Sequence, residues 1–173
     1  MTRQASADQI FVHLVDTYLG RVYRYLCHLT RNDDEARDLS HETFIRLRKQ
    51  VDQGTEISEA YVFTTARNTA LSHWRSHKRE ENKREAWGNQ HDAQPPSTSS
   101  SAENNELRRA LQEALGTLSE EHRTVFLLSE VEGLKYGQIA EILEISPGTV
   151  ASRKFKASRA LRGEMERMGH ELP

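Results

Sequence analysis

The chain has 173 residues, of which 36% are hydrophobic and 29% are charged, a composition typical of one or two small helical domains. Its formal net charge of −2 excludes a protein that is basic over its whole surface, so any contact with nucleic acid must come from local basic faces. The single cysteine, Cys27, excludes an internal disulfide, and no apolar run is long enough to cross a bilayer. We therefore expect a cytoplasmic protein with no membrane insertion, in which Cys27 is a packed apolar filler.

The first two predicted helices are marked by apolar periodicity and by a cap. Apolar residues recur at three- and four-residue steps from Asp8 to Leu29. A second helix begins after Asn32, which forms a capping arrangement with Glu35. Its buried stripe is predicted to contain Ala36, Leu39, Thr43, Phe44 and Leu47. The other face carries an acidic and then a basic row, which fits a solvated face and a protein-docking surface equally well.

A third helix is predicted to follow a loop at Val51–Ile57, with Ser58 as its cap. This helix carries cations interleaved with aromatic and amide side chains, a mixture that suits single-stranded nucleic acid because bases stack on rings while cations follow phosphates. A surface helix with a core tryptophan gives the same pattern. His73 and His77 stand four residues apart, but no complete ligand set accompanies them, so we predict no metal site and no cofactor.

The composition changes between residues 88 and 105, where Ser, Pro, Asn and Gln replace apolar residues. Such a segment buries too little surface to order itself, so we predict a flexible linker between an amino-terminal domain, residues 1–87, and a carboxy-terminal domain, residues 106–173. The second domain begins with a helix that ends at Gly116, and Ser119 then caps the next one. The predicted fold class is all-α, with two small helical domains.

The segment from Gly133 to Arg162 reads as two helices joined by a tight turn, which is a helix-turn-helix candidate. Ser146 is expected to cap the second helix, with Pro147 at its first position and Val150 returning to the core. Hydroxyls and cations on the outer face of that helix suit a DNA major groove. A plain helical hairpin with solvated cations gives a similar pattern, and the helix is expected to end near Gly163.

Three segments, in this order, resemble the extracytoplasmic-function (ECF) group of the sigma-70 family. DDEARDLSHETFIRLRK at Asp33–Lys49 is similar to the family's segment for binding core RNA polymerase. AYVFTTARNTALSHWRSHKR at Ala60–Arg79 is similar to the segment that opens and reads the −10 promoter element. YGQIAEILEISPGTVASRKFKASRAL at Tyr136–Leu161 is similar to the segment that reads the −35 element. The resemblance implies a region 2-like domain at 1–87 and a region 4-like domain at 106–173.

The resemblance also implies roles for individual residues. The set expected to bind core polymerase is Asp38, Leu39, His41, Glu42, Phe44 and Leu47. The set expected to contact the −10 element is Tyr61, Thr64, Arg67, Asn68, Ser72, Trp74, Arg75 and Arg79. The set expected to contact the −35 element is Thr149, Ser152, Arg153, Phe155, Lys156 and Arg159. Glu144 stands where family members often have Gly, so a left-handed turn there would be mildly strained.

The implied function is that of a sigma factor, which has no catalysis of its own. It would direct core RNA polymerase to specific promoters, binding duplex DNA at −35 and single-stranded DNA at −10. An anti-sigma protein is the further expected partner, and it would be able to hold the chain at the inner membrane face. Two alternatives stay open. A stand-alone helix-turn-helix regulator would leave the acidic row unused, and a metal-dependent hydrolase using His73 and His77 would lack a complete ligand set.

Overall fold

The computed structural model describes residues 2–85 and 102–170, which fold into seven α-helices without a strand. The chain divides into two compact units, and the two described ranges fall one in each. The predicted all-α class is therefore confirmed. Most of the predicted linker lies outside the described residues. Its last four positions, residues 102–105, instead belong to the first helix of the second unit.

The first unit consists of α1 (Thr2–Thr30), α2 (Asp33–Asp52) and α3 (Glu59–Glu85), each of which packs on the other two. Apolar side chains from all three helices form its core, in which the rings of Tyr25 and Phe63 meet edge to face at 5.8 Å. The loop predicted from Val51 begins later, because α2 continues to Asp52 and Val51 is buried.

Hydrogen bonds at the first turns of α2 and α3 explain where both helices begin. The Asn32 side chain accepts from the backbone N–H groups of Asp34 and Glu35, both at 3.0 Å, as the sequence predicts. Ser58 Oγ accepts from the backbone N–H of Tyr61 at 3.1 Å. The capping box at Asn32 is incomplete, because Thr30 Oγ1 rather than Glu35 accepts from the Asn32 N–H. Glu35 is turned towards α3 instead.

The second unit consists of α4 (Ala102–Thr117), α5 (Glu120–Phe126), α6 (Tyr136–Leu143) and α7 (Pro147–Arg167). Arg123 of α5 donates to the carbonyls of Leu115, Gly116 and Leu118, which satisfies acceptors left open at the end of α4. The last helix runs past the predicted end at Gly163 because Met165 is buried in the core.

One π-helical turn, Leu127–Val131, continues α5, and the sequence pattern did not predict it. It is closed by the Glu132 N–H, which donates to the Leu127 carbonyl at 3.0 Å. The turn places Glu130 beside α7, where it pairs with Lys154.

Cys27 is half-buried in α1, and burial is the main cause that raises the pKa of its thiol to about 11. The thiol is therefore protonated near neutral pH, in line with a packing role. Among the seven described helices, we find none that combines the length and apolar character needed to cross a membrane.

Candidate docking and nucleic-acid interfaces

The exposed face of α2 brings together two acidic side chains, a histidine and an isoleucine. Asp38, His41, Glu42 and Ile45 follow one another at three- and four-residue steps, so they share one side of the helix. Ile45 is 58% exposed, which is unusual for a large aliphatic residue in a well-packed unit. Arg46 pairs with Glu42 at 2.5 Å and covers one edge of the row. We call Asp38, His41, Glu42 and Ile45 the α2 docking face.

Three residues expected to bind polymerase directly do not lie on this face. Leu39, Phe44 and Leu47 are buried between α2 and the other helices of the unit, so they have little surface to offer a partner. Their packing holds α2 in place, and it is the neighbouring side chains that face outwards. Ile45 was missed because the motif was read as a whole. Ile45 is a large apolar residue that lies outside the buried stripe of α2, and this position is what marks it as an exposed contact residue.

Six of the eight residues expected to contact the −10 element form one stripe along α3. At 100° per residue, all six lie within about 40° of the direction of Asn68. The members are Tyr61, Thr64, Asn68, Ser72, Arg75 and Arg79. The last four are exposed and the first two are half-buried. We call this set the α3 stripe.

Arg67 and Trp74 lie outside the α3 stripe, about 100° and 120° away from Asn68. Both side chains are half-buried. The Trp74 indole N–H donates to Glu35 Oε1 of α2 at 2.9 Å, so this ring is held within the unit. The expectation that Trp74 contacts the −10 element stays a prediction, and the structure adds that the polar edge of the indole already has a partner on α2.

The two histidines of α3 lie near the same place. His73 Nδ1 is 3.2 Å from Glu35 Oε1, the oxygen that accepts from Trp74, and the His73 and His77 rings are 5.6 Å apart. Within the described ranges, no three His, Cys, Asp or Glu side chains are grouped so that they could hold a metal ion.

The helix-turn-helix consists of α6 and α7, and its corner has the predicted left-handed residue. Glu144 has φ 54° and ψ 43°, a conformation that glycine adopts more easily. Ser146 Oγ then accepts from the Thr149 N–H at 3.1 Å, and Pro147 occupies the first helical position. Val150 is buried, which anchors the first turn of α7 to the core.

The outer face of α7 presents hydroxyl, aromatic and cationic groups to solvent. Ser152, Phe155, Lys156 and Arg159 are all exposed, and Phe155 is exposed by 68%. Thr149 lies at the start of the same face, half-buried, with its hydroxyl 2.9 Å from Ser146 Oγ. These residues share a face because they recur at three- and four-residue steps. We call the four exposed residues the α7 outer face.

Arg153 lies at the edge of that face, about 60° from Lys156, but its side chain turns towards α5. Its guanidinium pairs with Glu121 of α5 at 2.8 Å, and its neighbour Lys154 pairs with Glu130 at 2.5 Å, with its ammonium 5.8 Å from the centre of the Tyr136 ring. The hydrogen bond with Glu130 is the main cause that raises the pKa of Lys154. These two ion pairs join α7 to α5 and to the π-helical turn. The expectation that Arg153 contacts the −35 element stays a prediction, and in the free chain its guanidinium is already paired with Glu121.

Comparison with known proteins identifies the family. The family model "Sigma-70 region 2" matches residues 14–80, and the model "Sigma-70, region 4" matches residues 108–161. Together the two matches cover more than half of the chain. The protein belongs to the sigma-70 family. The sigma factor CarQ of Myxococcus xanthus is 32% identical to this sigma factor over 167 residues, which are 92% of the present chain and 93% of CarQ.

A second relative specifies the group. The ECF sigma factor SigL of Mycobacterium tuberculosis is 32% identical over 161 residues, which are 90% of this sigma factor and 89% of SigL. The chain is therefore an ECF sigma factor, a DNA-binding subunit that directs core RNA polymerase to promoters and helps to open the −10 region when transcription begins.

Two solved structures share the fold. RpoE of Bartonella quintana, in complex with the anti-sigma factor NepR, superimposes with a TM-score of 0.75 at 23% identity, covering 91% of this sigma factor and 98% of RpoE. CnrH, in complex with the cytosolic domain of CnrY, superimposes with a TM-score of 0.70 at 18% identity, covering 96% of each chain. At these identities the similarity supports the fold alone.

Proposed function

We propose that residues 1–87 dock this sigma factor on core polymerase and open the −10 element, and that residues 106–173 read the −35 duplex. The α2 docking face would meet the polymerase, the α3 stripe would hold the separated strand, and the α7 outer face would enter the major groove. The observation that carries the proposal is the alignment of six polar, aromatic and cationic residues along one side of α3.

The α2 docking face has the chemistry of a protein interface. An exposed isoleucine supplies apolar area that is lost from water on binding, while Asp38 and Glu42 select a basic partner surface. Leu39, Phe44 and Leu47 support this face from within the core.

The α3 stripe has the chemistry needed to hold a single strand. The Asn68 amide can donate to and accept from the edge of an unpaired base, and Ser72 adds a hydroxyl one turn later. Arg75 and Arg79 continue the stripe and suit successive phosphates. Tyr61 offers a ring at the other end of the stripe, where a base can stack.

The α7 outer face combines two kinds of contact with duplex DNA. Lys156 and Arg159 can meet phosphates or guanine acceptors, and Phe155 can contact a thymine methyl group. At the start of the helix, the positive end of the helix dipole favours a phosphate near Thr149.

We also propose that an anti-sigma protein covers part of these faces. RpoE of Bartonella quintana and CnrH were both solved with partners, an anti-sigma factor and a cytosolic domain respectively. A membrane-anchored anti-sigma protein would hold this sigma factor at the inner face of the cytoplasmic membrane.

Promoter opening by reconstituted holoenzyme tests the proposal. Asn68→Ala should lower the permanganate reactivity of −10 thymines by about tenfold, the effect of losing 1–2 hydrogen bonds to a base, while binding to core polymerase is unchanged. Ser76→Ala is a matched control, because Ser76 is exposed on the same helix but lies outside the stripe, about 80° from the direction of Asn68. Wild-type reactivity in the Asn68→Ala holoenzyme would overturn the assignment of the stripe.

A further inference from the structure

We propose that Glu35 is a positioning residue that couples the docking helix to the promoter-opening helix. Its carboxylate would fix the rotation of the second half of α3, and thereby the direction of Ser72, Arg75 and Arg79. The inference rests on the proposed function of the α3 stripe.

One carboxylate oxygen of Glu35, on α2, contacts two side chains of α3. Glu35 Oε1 accepts from the Trp74 indole N–H at 2.9 Å and lies 3.2 Å from His73 Nδ1. The Glu35 side chain is only 23% exposed, so this contact is sheltered from water. Glu35 is three residues before Asp38, one turn ahead of the α2 docking face. A single side chain therefore contacts α3 from the helix that would bind polymerase.

The burial pattern of α3 explains why such a contact is needed. Core packing fixes the first half of the helix, where Phe63, Ala66 and Ala70 are fully buried. After Ala70, none of the side chains described as far as Arg79 is buried. Apolar packing therefore does little to set the rotation of the second half. The hydrogen bond from Trp74 supplies a directional constraint at this point.

The position of Trp74 makes the constraint relevant to the stripe. Trp74 and His73 lie in sequence between Ser72 and Arg75, on a different side of the same helical turn. A carboxylate that holds the indole edge towards α2 thus keeps the neighbouring stripe residues facing away from α2. Loss of the bond would let the end of α3 rotate or fray, which would misdirect two cations and a hydroxyl together.

Three substitutions separate this role from general stability. Glu35→Ala removes the acceptor, Trp74→Phe removes the donor but keeps a ring, and Glu35→Gln keeps an acceptor oxygen for the indole. Asp34→Ala is a matched control that also removes a first-turn acid, because Asp34 is 90% exposed and its one resolved ion pair is with Arg37. Thermal unfolding of each full-length variant checks that it is folded.

Two measurements test the coupling. In a Trp87→Phe background, the indole N–H resonance of Trp74 should shift in Glu35→Ala and stay near its wild-type position in Glu35→Gln. In reconstituted holoenzyme, Glu35→Ala and Trp74→Phe should each slow −10 opening by about tenfold at saturating sigma factor, with core affinity unchanged. The double variant should be no slower than either single variant, because both remove the same bond. Glu35→Gln and Asp34→Ala should open at the wild-type rate.

The outcomes distinguish this inference from the proposed function. If Asn68→Ala impairs opening while Glu35→Ala does not, the positioning role is wrong and the stripe stands. Additive effects of Glu35→Ala and Trp74→Phe would also overturn it, because the two groups would then act independently. If neither Asn68→Ala nor Glu35→Ala alters opening, the assignment of the stripe fails and this inference fails with it.

Discussion

Replacing Ile45 by alanine should weaken binding to core polymerase without destabilising the first unit. Burying an isoleucine side chain completely stabilises a complex by about 1.5–3 kcal/mol. Because 58% of Ile45 is exposed, docking can remove little more than half of its area from water, which corresponds to about 1–2 kcal/mol. The dissociation constant should therefore rise by about 5- to 30-fold.

Leu47→Ala is the matched control, since Leu47 lies half a turn away on the same helix and is fully buried. That change should lower the free energy of unfolding by about 2–5 kcal/mol, whereas Ile45→Ala should leave it nearly unchanged. Fluorescence anisotropy of labelled sigma factor titrated with core polymerase gives the dissociation constant, and thermal unfolding gives the stability. Wild-type affinity of the Ile45→Ala variant would refute the docking face.

Three further predictions follow from the second unit and from Cys27. Glu144→Gly should stabilise the protein by about 0–1 kcal/mol. Glycine relieves the strain of the left-handed backbone conformation, but it also gives the unfolded chain more conformational freedom, which offsets part of the gain. A lower stability of the variant in thermal unfolding would contradict this prediction. In promoter binding by holoenzyme, Arg159→Ala should reduce the salt dependence by about one ion. Arg153→Ala should reduce it less, because Arg153 is already paired with Glu121, and equal slopes for both variants would contradict the geometry. Because burial raises the pKa of Cys27 from 9.0 to about 11, folding favours the protonated thiol. The contribution of the protonated Cys27 thiol to the free energy of unfolding should therefore be complete below pH 9 and be lost as the pH rises to about 11. For the same reason, iodoacetamide should react slowly with Cys27 of the folded protein at pH 8.

Features that depend on neighbouring positions in the sequence were predicted well. The caps at Asn32, Ser58, Ser119 and Ser146 are all confirmed, because a capping side chain bonds to a backbone N–H two or three residues away. The strained corner at Glu144 is confirmed for a similar reason. The helical stripes also follow from periodicity alone.

Features that depend on contacts between helices were predicted less well. Periodicity places Trp74 and Arg153 on their helices but does not reveal the carboxylates that hold them, which belong to residues 39 and 32 positions away in sequence. Leu39 was assigned to polymerase binding because a family motif marks functional and structural positions alike. The burial of Leu39, predicted from periodicity, is confirmed by the structure, while its contact with polymerase stays a prediction.

The most direct test of the whole account is run-off transcription from a library of genomic fragments by core polymerase, with and without this protein. The account predicts promoter-specific transcripts only when the protein is present. It also predicts that Asp38→Arg, which reverses an exposed charge on the α2 docking face, removes those transcripts and lowers core affinity together. The account would be contradicted if the wild-type protein neither bound core polymerase nor produced a transcript.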